Sequence, residues 1–233
     1  MNVVITGASR GLGKAIAEKF ASEGHQLFLS SRDRQILEKT ASDIRKNWPS
    51  SEVKFQAADL SSKKEAIELG DWLLHQNIAI NVLVNNAGSF IPGSVHNEPE
   101  GALEKMMEIN LFGAYHLTRQ ILPSMMQKKS GHIFNVCSIA SLHAYENGGA
   151  YSISKFALLG FNRNLREEMK PYNIKVTAIL PGATYTDSWA GSGISSQRIM
   201  EANDIAELVF TAAQLSPQAC VEDIIVRPQL GDL

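Results

Sequence analysis

The chain is poor in cysteine: Cys137 and Cys220 lie far apart and in no paired motif, which argues against a disulfide framework and a zinc site. It has no excess of either charge, with 22 Lys and Arg against 24 Asp and Glu, so neither nucleic acid nor an acidic membrane surface is an expected partner. Nor does it contain an apolar run of about 18 residues, the length that begins to suggest a membrane span. The residues after Met1 enter an apolar segment directly, leaving no room for a secretory leader, so a reducing, cytoplasmic setting is the expectation. Repeats, low-complexity tracts and linkers are absent as well. The six histidines suggest no common role, and no metal is expected.

What is present is an alternation. Short apolar runs at 3–5, 27–29, 53–55, 82–84, 133–136, 176–180 and 224–226 mostly lack polar alternation, as strands buried on both faces of a parallel sheet do. Segments 14–23, 36–46 and 63–75 mix apolar and charged residues at helical spacing, the rhythm of a doubly wound α/β fold. Two longer helices are predicted, over 100–126 with Pro123 loosening the last turns, and over 149–169 with a stop before Pro171. Residues 186–197 are rich in Gly and Ser without a period. They read as a loop at the carboxyl end of a strand, where a lid over about 186–200 would sit. At 233 residues the chain, 1–233, reads as one domain.

The first strand is followed by Thr6-Gly7-Ala8-Ser9-Arg10-Gly11-Leu12-Gly13 and then a helical pattern. A strand, a glycine-rich turn and a helix N-terminus make an anion site, since unpaired N–H groups and the positive end of the helix dipole face the ligand. At the end of the second strand, where an acidic residue would select NAD, the order is Ser30-Ser31-Arg32-Asp33. Ser31 leaves the ribose 2′ position without a carboxylate, and Arg32 with Arg10 can grip a 2′-phosphate, each charge-assisted bond being worth about 1.5–3 kcal/mol. That favours NADPH; the alternative is a solvated Arg32 with Asp33 on the ribose.

Tyr151-Ser152-Ile153-Ser154-Lys155 sets a phenol and an ammonium one helical turn apart. Lowering a tyrosine from about 10 to about 7 takes roughly 4 kcal/mol, and a positive charge about 4 Å away at an effective dielectric near 20 supplies that much. Alone, such a pair is equally a surface ion arrangement. Together with Asn85-Asn86-Ala87-Gly88 after a strand, Asn110, Ser138, and Pro181-Gly182 followed by Thr186, it resembles the short-chain dehydrogenase/reductases over nearly the whole chain.

The resemblance implies a mostly parallel seven-stranded Rossmann sheet in the order 3-2-1-4-5-6-7, with helices on both faces. It implies Tyr151 as the proton donor to a carbonyl oxygen and Ser138 as the group that holds that oxygen. Lys155 would bind the nicotinamide ribose, and Asn110 would fix a water in a proton relay. Asp59 and Leu60 fall at the adenine contact, Asn86, Ala87 and Gly88 along the cofactor, and Pro181, Gly182, Thr184 and Thr186 at its nicotinamide end. A homotetramer or homodimer through the helices around Leu111 and Phe161 is also implied.

Without the resemblance, Asn110 is equally a backbone-bonding residue, Ser138 a turn serine, and Cys137 a small buried residue. The C-terminal third, with its Pro181 to Trp189 run, resembles the bacterial sepiapterin reductases within the family. Tyr145, Tyr185 and Trp189 are therefore candidate walls for a pterin ring, or aromatics that pack a lid on the sheet. The alternatives to a pterin reductase are a general carbonyl reductase, a 3-oxoacyl carrier-protein reductase, which needs a basic approach surface, and a non-catalytic NADP-binding regulator.

Overall fold

The structure is a computed structural model that describes residues 1–187 and 193–232. It begins with β1 (Asn2–Thr6), α1 (Gly11–Ser22), β2 (Gln26–Ser31), α2 (Arg34–Asn47), β3 (Val53–Ala57), α3 (Lys63–Leu74) and β4 (Val82–Asn85). There follow α4 (Ala102–Met107), a π-helical turn (Glu108–Phe112), α5 (Gly113–Lys128), β5 (Gly131–Val136) and α6 (Gly149–Met169). The last elements are β6 (Ile174–Pro181), β7 (Thr184–Tyr185), β8 (Met200–Glu201), α7 (Ala202–Gln214) and β9 (Asp223–Val226).

Seven strands pair in the order β3-β2-β1-β4-β5-β6-β9, all in parallel, and β7 pairs with β8 in a separate small ladder. This is the expected order, with β9 as the seventh strand of the main sheet. Successive residues of a strand point to opposite faces, and both faces are covered. Val3, Ile5, Leu27 and Leu29 pack with Ile16 and Phe20 of α1, Leu37 and Ile44 of α2, and Ile205 and Val209 of α7. Val4, Phe28, Leu83 and Ile133 pack on the other face with Leu69 and Leu73 of α3, Leu117 and Ile121 of α5, and Leu165 of α6. Strands buried on both sides show no alternation, which is why they read as continuous apolar runs.

The long helix expected over 100–126 is one helical run interrupted by the π turn, and it continues past Pro123 to Lys128. The proline removes one backbone donor without ending the helix, because Leu117, Ile121 and Met125 hold that face on the sheet. The helix over 149–169 ends where expected. A buried polar ladder fixes α5 and α6 to β4 and β5. Asn85 donates to Thr118 Oγ1 (3.0 Å) and to Asn135 Oδ1 (2.9 Å), and Asn135 donates to Asn162 Oδ1 (2.8 Å). The expected loop at 186–197 is bounded by the β7–β8 ladder, with a short 3₁₀ turn, Ser196–Arg198, before β8.

Among the described residues, no helix is long and apolar enough to cross a membrane. No group of three His, Cys, Asp or Glu side chains among them is placed to hold a metal ion.

Candidate active site

The glycine turn joins β1 to α1 with Gly7 at φ 62° and Gly11 at φ 56°, a left-handed backbone that glycine adopts without strain. A Cβ on Gly13 would collide with the carbonyl oxygen of Gly7 and the amide of Asn86. Helix α1 starts at Arg10 without a side-chain cap among the described residues, so its first N–H groups face outward. These features fit a pyrophosphate. On the far side, a Cβ on Gly11 would lie 3.3 Å from Thr186 Cγ2, so the start of the loop after β7 closes over the same turn.

At the end of β2, the Asp33 carboxylate accepts the Ile36 N–H at 3.0 Å and caps α2. The cap uses Oδ1 alone, and the exposed Asp33 and Arg32 lie side by side just after the half-buried Ser31 at the strand end. Asp59 accepts from the Ser61 N–H (3.0 Å) and hydroxyl (2.8 Å). The Leu60 side chain is buried in the core, so only its backbone can face a ligand.

The Asn86–Gly88 segment is tied to β1 through Thr6, a residue that its motif position does not single out. Thr6 Oγ1 accepts the N–H groups of Asn86 and Ala87, both at 3.0 Å, and Asn86 Nδ2 donates to the Thr6 carbonyl at 2.9 Å. The turn along one side of the cleft is thereby locked to the turn at its base.

Tyr151 and Lys155 share one face of α6. The buried Lys155 ammonium donates to the Val136 carbonyl at the end of β5 (2.8 Å) and lies 5.8 Å from the centre of the Tyr151 ring. A Cβ on Gly88 would meet Asn110 Oδ1 at 2.9 Å and Lys155 Nζ at 3.7 Å, so these three residues converge. Ser138, almost buried, begins the turn after β5, and its Oγ accepts the Ala140 N–H at 3.1 Å.

Asn110 sits in the π turn with its side chain fully engaged. Its Oδ1 accepts the Ser89 N–H (2.8 Å), and its Nδ2 donates to the Ser89 carbonyl (3.0 Å) and to Ser154 Oγ (2.9 Å). Ser154 in turn donates to the Tyr151 carbonyl at 2.7 Å. Asn110 thus joins the strand-end loop to the helix that carries Tyr151. Its two bonds to the Ser89 main chain are those expected of a backbone-bonding residue.

Pro181 ends β6, and Thr184 is nearly buried with its hydroxyl on the Gly182 carbonyl at 3.0 Å. Tyr145 and Tyr185 are exposed by 47% and 42%. Burial, reinforced by the neighbouring Tyr151, pushes the Tyr145 hydroxyl up to about 12. Trp189 lies outside the described residues. Burial likewise holds the Cys137 thiol up at about 12, so it is a packing residue and a poor nucleophile. Two further residues of the site carry no signal in the sequence. Phe90 stands against Tyr151, and Glu98 accepts the Ala150 N–H at the start of α6 (2.9 Å). They follow the Asn86–Gly88 motif in a stretch without periodicity.

Residues 1–195 match the model of the short chain dehydrogenase family. The chain is 32% identical over 239 residues to a sepiapterin reductase of Chlorobaculum tepidum, covering 99% of this chain and 97% of that one. It is 31% identical over 225 residues to an uncharacterised oxidoreductase of Staphylococcus saprophyticus, with 97% and 96% covered. Among solved structures, it superposes on an alcohol dehydrogenase from the archaeon Thermococcus sibiricus complexed with 5-hydroxy-NADP, with a TM-score of 0.89, 28% identity, and 98% and 96% of the chains covered. For a metagenomic short-chain oxidoreductase in complex with NADP the TM-score is 0.85, with 31% identity and 98% and 97% covered. A match over most of the chain, carried on a shared architecture, shows that this protein belongs to the short chain dehydrogenase family and is an oxidoreductase.

Proposed function

We propose that the protein reduces the carbonyl group of a small molecule with NADPH and that Tyr151 delivers the proton. The observation that carries this reading is the buried Lys155 ammonium, anchored on Val136 beside the Tyr151 ring and next to Gly88 and Asn110. NADPH, when bound, supplies the hydride. The turn from Gly7 to Gly13, with the backbone of Ser9, Arg10 and Leu12, holds the pyrophosphate. Ser31, Arg32 and the Arg10 side chain take the 2′-phosphate, and Asp59 and Leu60 border the adenine. Asn86, Ala87 and Gly88 line one side, and Pro181, Gly182, Thr184 and Thr186 the nicotinamide end. That relatives are solved with NADP or its 5-hydroxy derivative supports the cofactor.

The residues of the chain then act on the substrate. The Ser138 hydroxyl holds the carbonyl oxygen, and the Tyr151 phenol releases its proton to that oxygen as negative charge develops there. Lys155 sets a positive charge beside the phenol and donates to the ribose, while Asn110 keeps α6 and the Ser89 loop in register. On this reading the whole chain acts as one unit, with 186–200 as the lid and Tyr145 and Tyr185 as substrate contacts.

A pterin side-chain carbonyl is the substrate we favour, on the likeness to the Chlorobaculum tepidum enzyme and the exposed aromatics. Segments 89–105 and 138–155, around Tyr151, contain Glu98, Glu100, Glu104 and Glu146 against Lys105 and Lys155. That net negative balance does not favour an acidic carrier protein. We expect copies of the chain to assemble through the helices around Leu111 and Phe161, which also carry the exposed Phe112, Ile153 and Phe156.

The test is NADPH oxidation across a panel of carbonyl compounds that includes sepiapterin and acetoacetyl thioesters. Turnover of sepiapterin or other small carbonyls supports the reading. Turnover of thioesters alone, or of nothing in the panel, counts against it.

A further inference from the structure

We propose that Phe90 sets substrate choice. It forms a fixed aromatic wall beside Tyr151, against which a planar, uncharged or cationic ring attached to the reacting carbonyl packs. The inference rests on Tyr151 being the proton donor. The Phe90 and Tyr151 ring centres are 4.9 Å apart with planes at 79°, an edge-to-face pair, yet Phe90 remains 52% exposed. A single exposed phenylalanine is ordinary on a protein surface. What distinguishes this one is that it touches the reacting phenol and that its backbone cannot drift.

The preceding residue, Ser89, is held through both its N–H and its carbonyl by the buried Asn110 side chain. Three residues on, the loop is fastened again. The Gly93 N–H donates to the Asn147 carbonyl (3.1 Å), and Ser94 Oγ to Asn147 Oδ1 (3.0 Å). Glu98 then accepts the Ala150 N–H, one residue before Tyr151 (2.9 Å). The loop and the first turn of α6 therefore form one body with Phe90 presented from it. An aromatic surface ordered before the ligand arrives costs little entropy on binding.

Charge narrows the class of ligand. Segments 89–105 and 138–155 carry four glutamates against Lys105 and Lys155, a net negative charge that disfavours a phosphate or carboxylate substituent and tolerates a neutral or cationic ring. Substrates selected by bulk alone need no aromatic here; a flat ring gains both the stacking geometry and the burial of the Phe90 face.

The experiment compares acetophenone with 2-octanone, of equal heavy-atom count, and with 4-acetylbenzoate, in wild type, Phe90→Ala and Phe90→Tyr. KM and kcat are read with NADPH, and Kd by ligand-observed NMR on the NADP⁺ complex. Phe90→Ala is expected to raise KM and Kd for acetophenone about 10-fold, the effect of a lost aromatic pair and its buried area. For 2-octanone both should stay within about twofold, and Phe90→Tyr should restore acetophenone. 4-Acetylbenzoate is expected to bind wild type more weakly than acetophenone. Equal changes for the two neutral ketones, no change for either, or binding of neither to wild type overturns the proposal, as does tighter binding of the carboxylate. Tyr151→Phe run in parallel separates the two readings. If it turns over normally, the proton-donor assignment fails, whereas the Kd ratio of the two ketones in Phe90→Ala judges the wall independently.

Discussion

The Lys155 ammonium donates to the Val136 carbonyl and stands 5.8 Å from the centre of the Tyr151 ring, so the lysine is clamped to the sheet while facing the phenol. With Tyr151 as the acid, Tyr151→Phe is expected to lower kcat about 10²- to 10⁴-fold with NADPH binding retained. Lys155→Met should lower kcat and cofactor affinity together. It also leaves a buried carbonyl unpaired, a cost of about 1–3 kcal/mol that thermal denaturation would register. Steady-state kinetics with NADPH fluorescence titration checks both variants, and near-normal turnover of Tyr151→Phe would remove the mechanism.

With serine rather than an acidic residue at Ser31 and an exposed arginine next to it, we expect selectivity at the 2′ position to rest on Ser31, Arg32 and Arg10. Arg32→Ala is expected to weaken NADPH binding by roughly 10- to 100-fold, the worth of one charge-assisted bond, and to leave NADH nearly unchanged. Titrating both cofactors against both proteins decides this. Equal affinity of wild type for the two cofactors contradicts it.

His132, buried in β5, is held neutral, its pKa depressed to about 3 by burial and then by Lys175. Thr177 Oγ1 donates its single proton to the Val221 carbonyl, so His132 Nε2 is the donor to Thr177 at 2.7 Å. Its Nδ1 has no partner among the described residues. The unfolded chain binds a proton at this residue near 6.5 and the folded chain only near 3, so stability is full above the first value and falls toward the second. At pH 5 this one residue should cost about 2 kcal/mol relative to neutral pH. Urea denaturation of wild type and His132→Gln at pH 7 and pH 5 tests it. The variant should lose less stability on acidification, and equal losses would exclude the assignment.

The outer face of α6 presents Ile153 and Phe156, 44% and 45% exposed, beside a cavity of about 310 Å³ that Tyr145 also lines. Tyr151 and Lys155 point the other way on the same helix. Phe156→Glu is expected to shift the particle mass toward the monomer at micromolar concentration without lowering thermal stability of the monomer. Light scattering measures this, and a monomeric wild type would refute it.

Most of the fold is legible in the sequence because its signals are local. Continuous apolar runs such as Val3 to Ile5 mark strands covered on both faces, and the amphipathic stretches between them mark the helices. The glycine turn shows itself by residues that adopt a left-handed backbone, and the Tyr151–Lys155 pair by helical spacing. The π turn at Asn110 was not legible, since nothing in Glu108–Phe112 departs from an ordinary helical pattern; the added residue is accommodated by tertiary contacts to Ser89 and Ser154.

By itself, then, the sequence determined the parallel sheet, the anion-binding turn and the presence of a phenol one turn from an ammonium, because each depends on residues near in the chain. Only the tertiary structure decided that Asp33 caps α2, that Thr6 locks the Asn86 turn, and that Asn110 spans from Ser89 to Ser154. It alone brought Phe90 against Tyr151 across some sixty residues of chain. Such pairings follow from how β4, β5 and α6 pack together, and no periodicity along the chain encodes them.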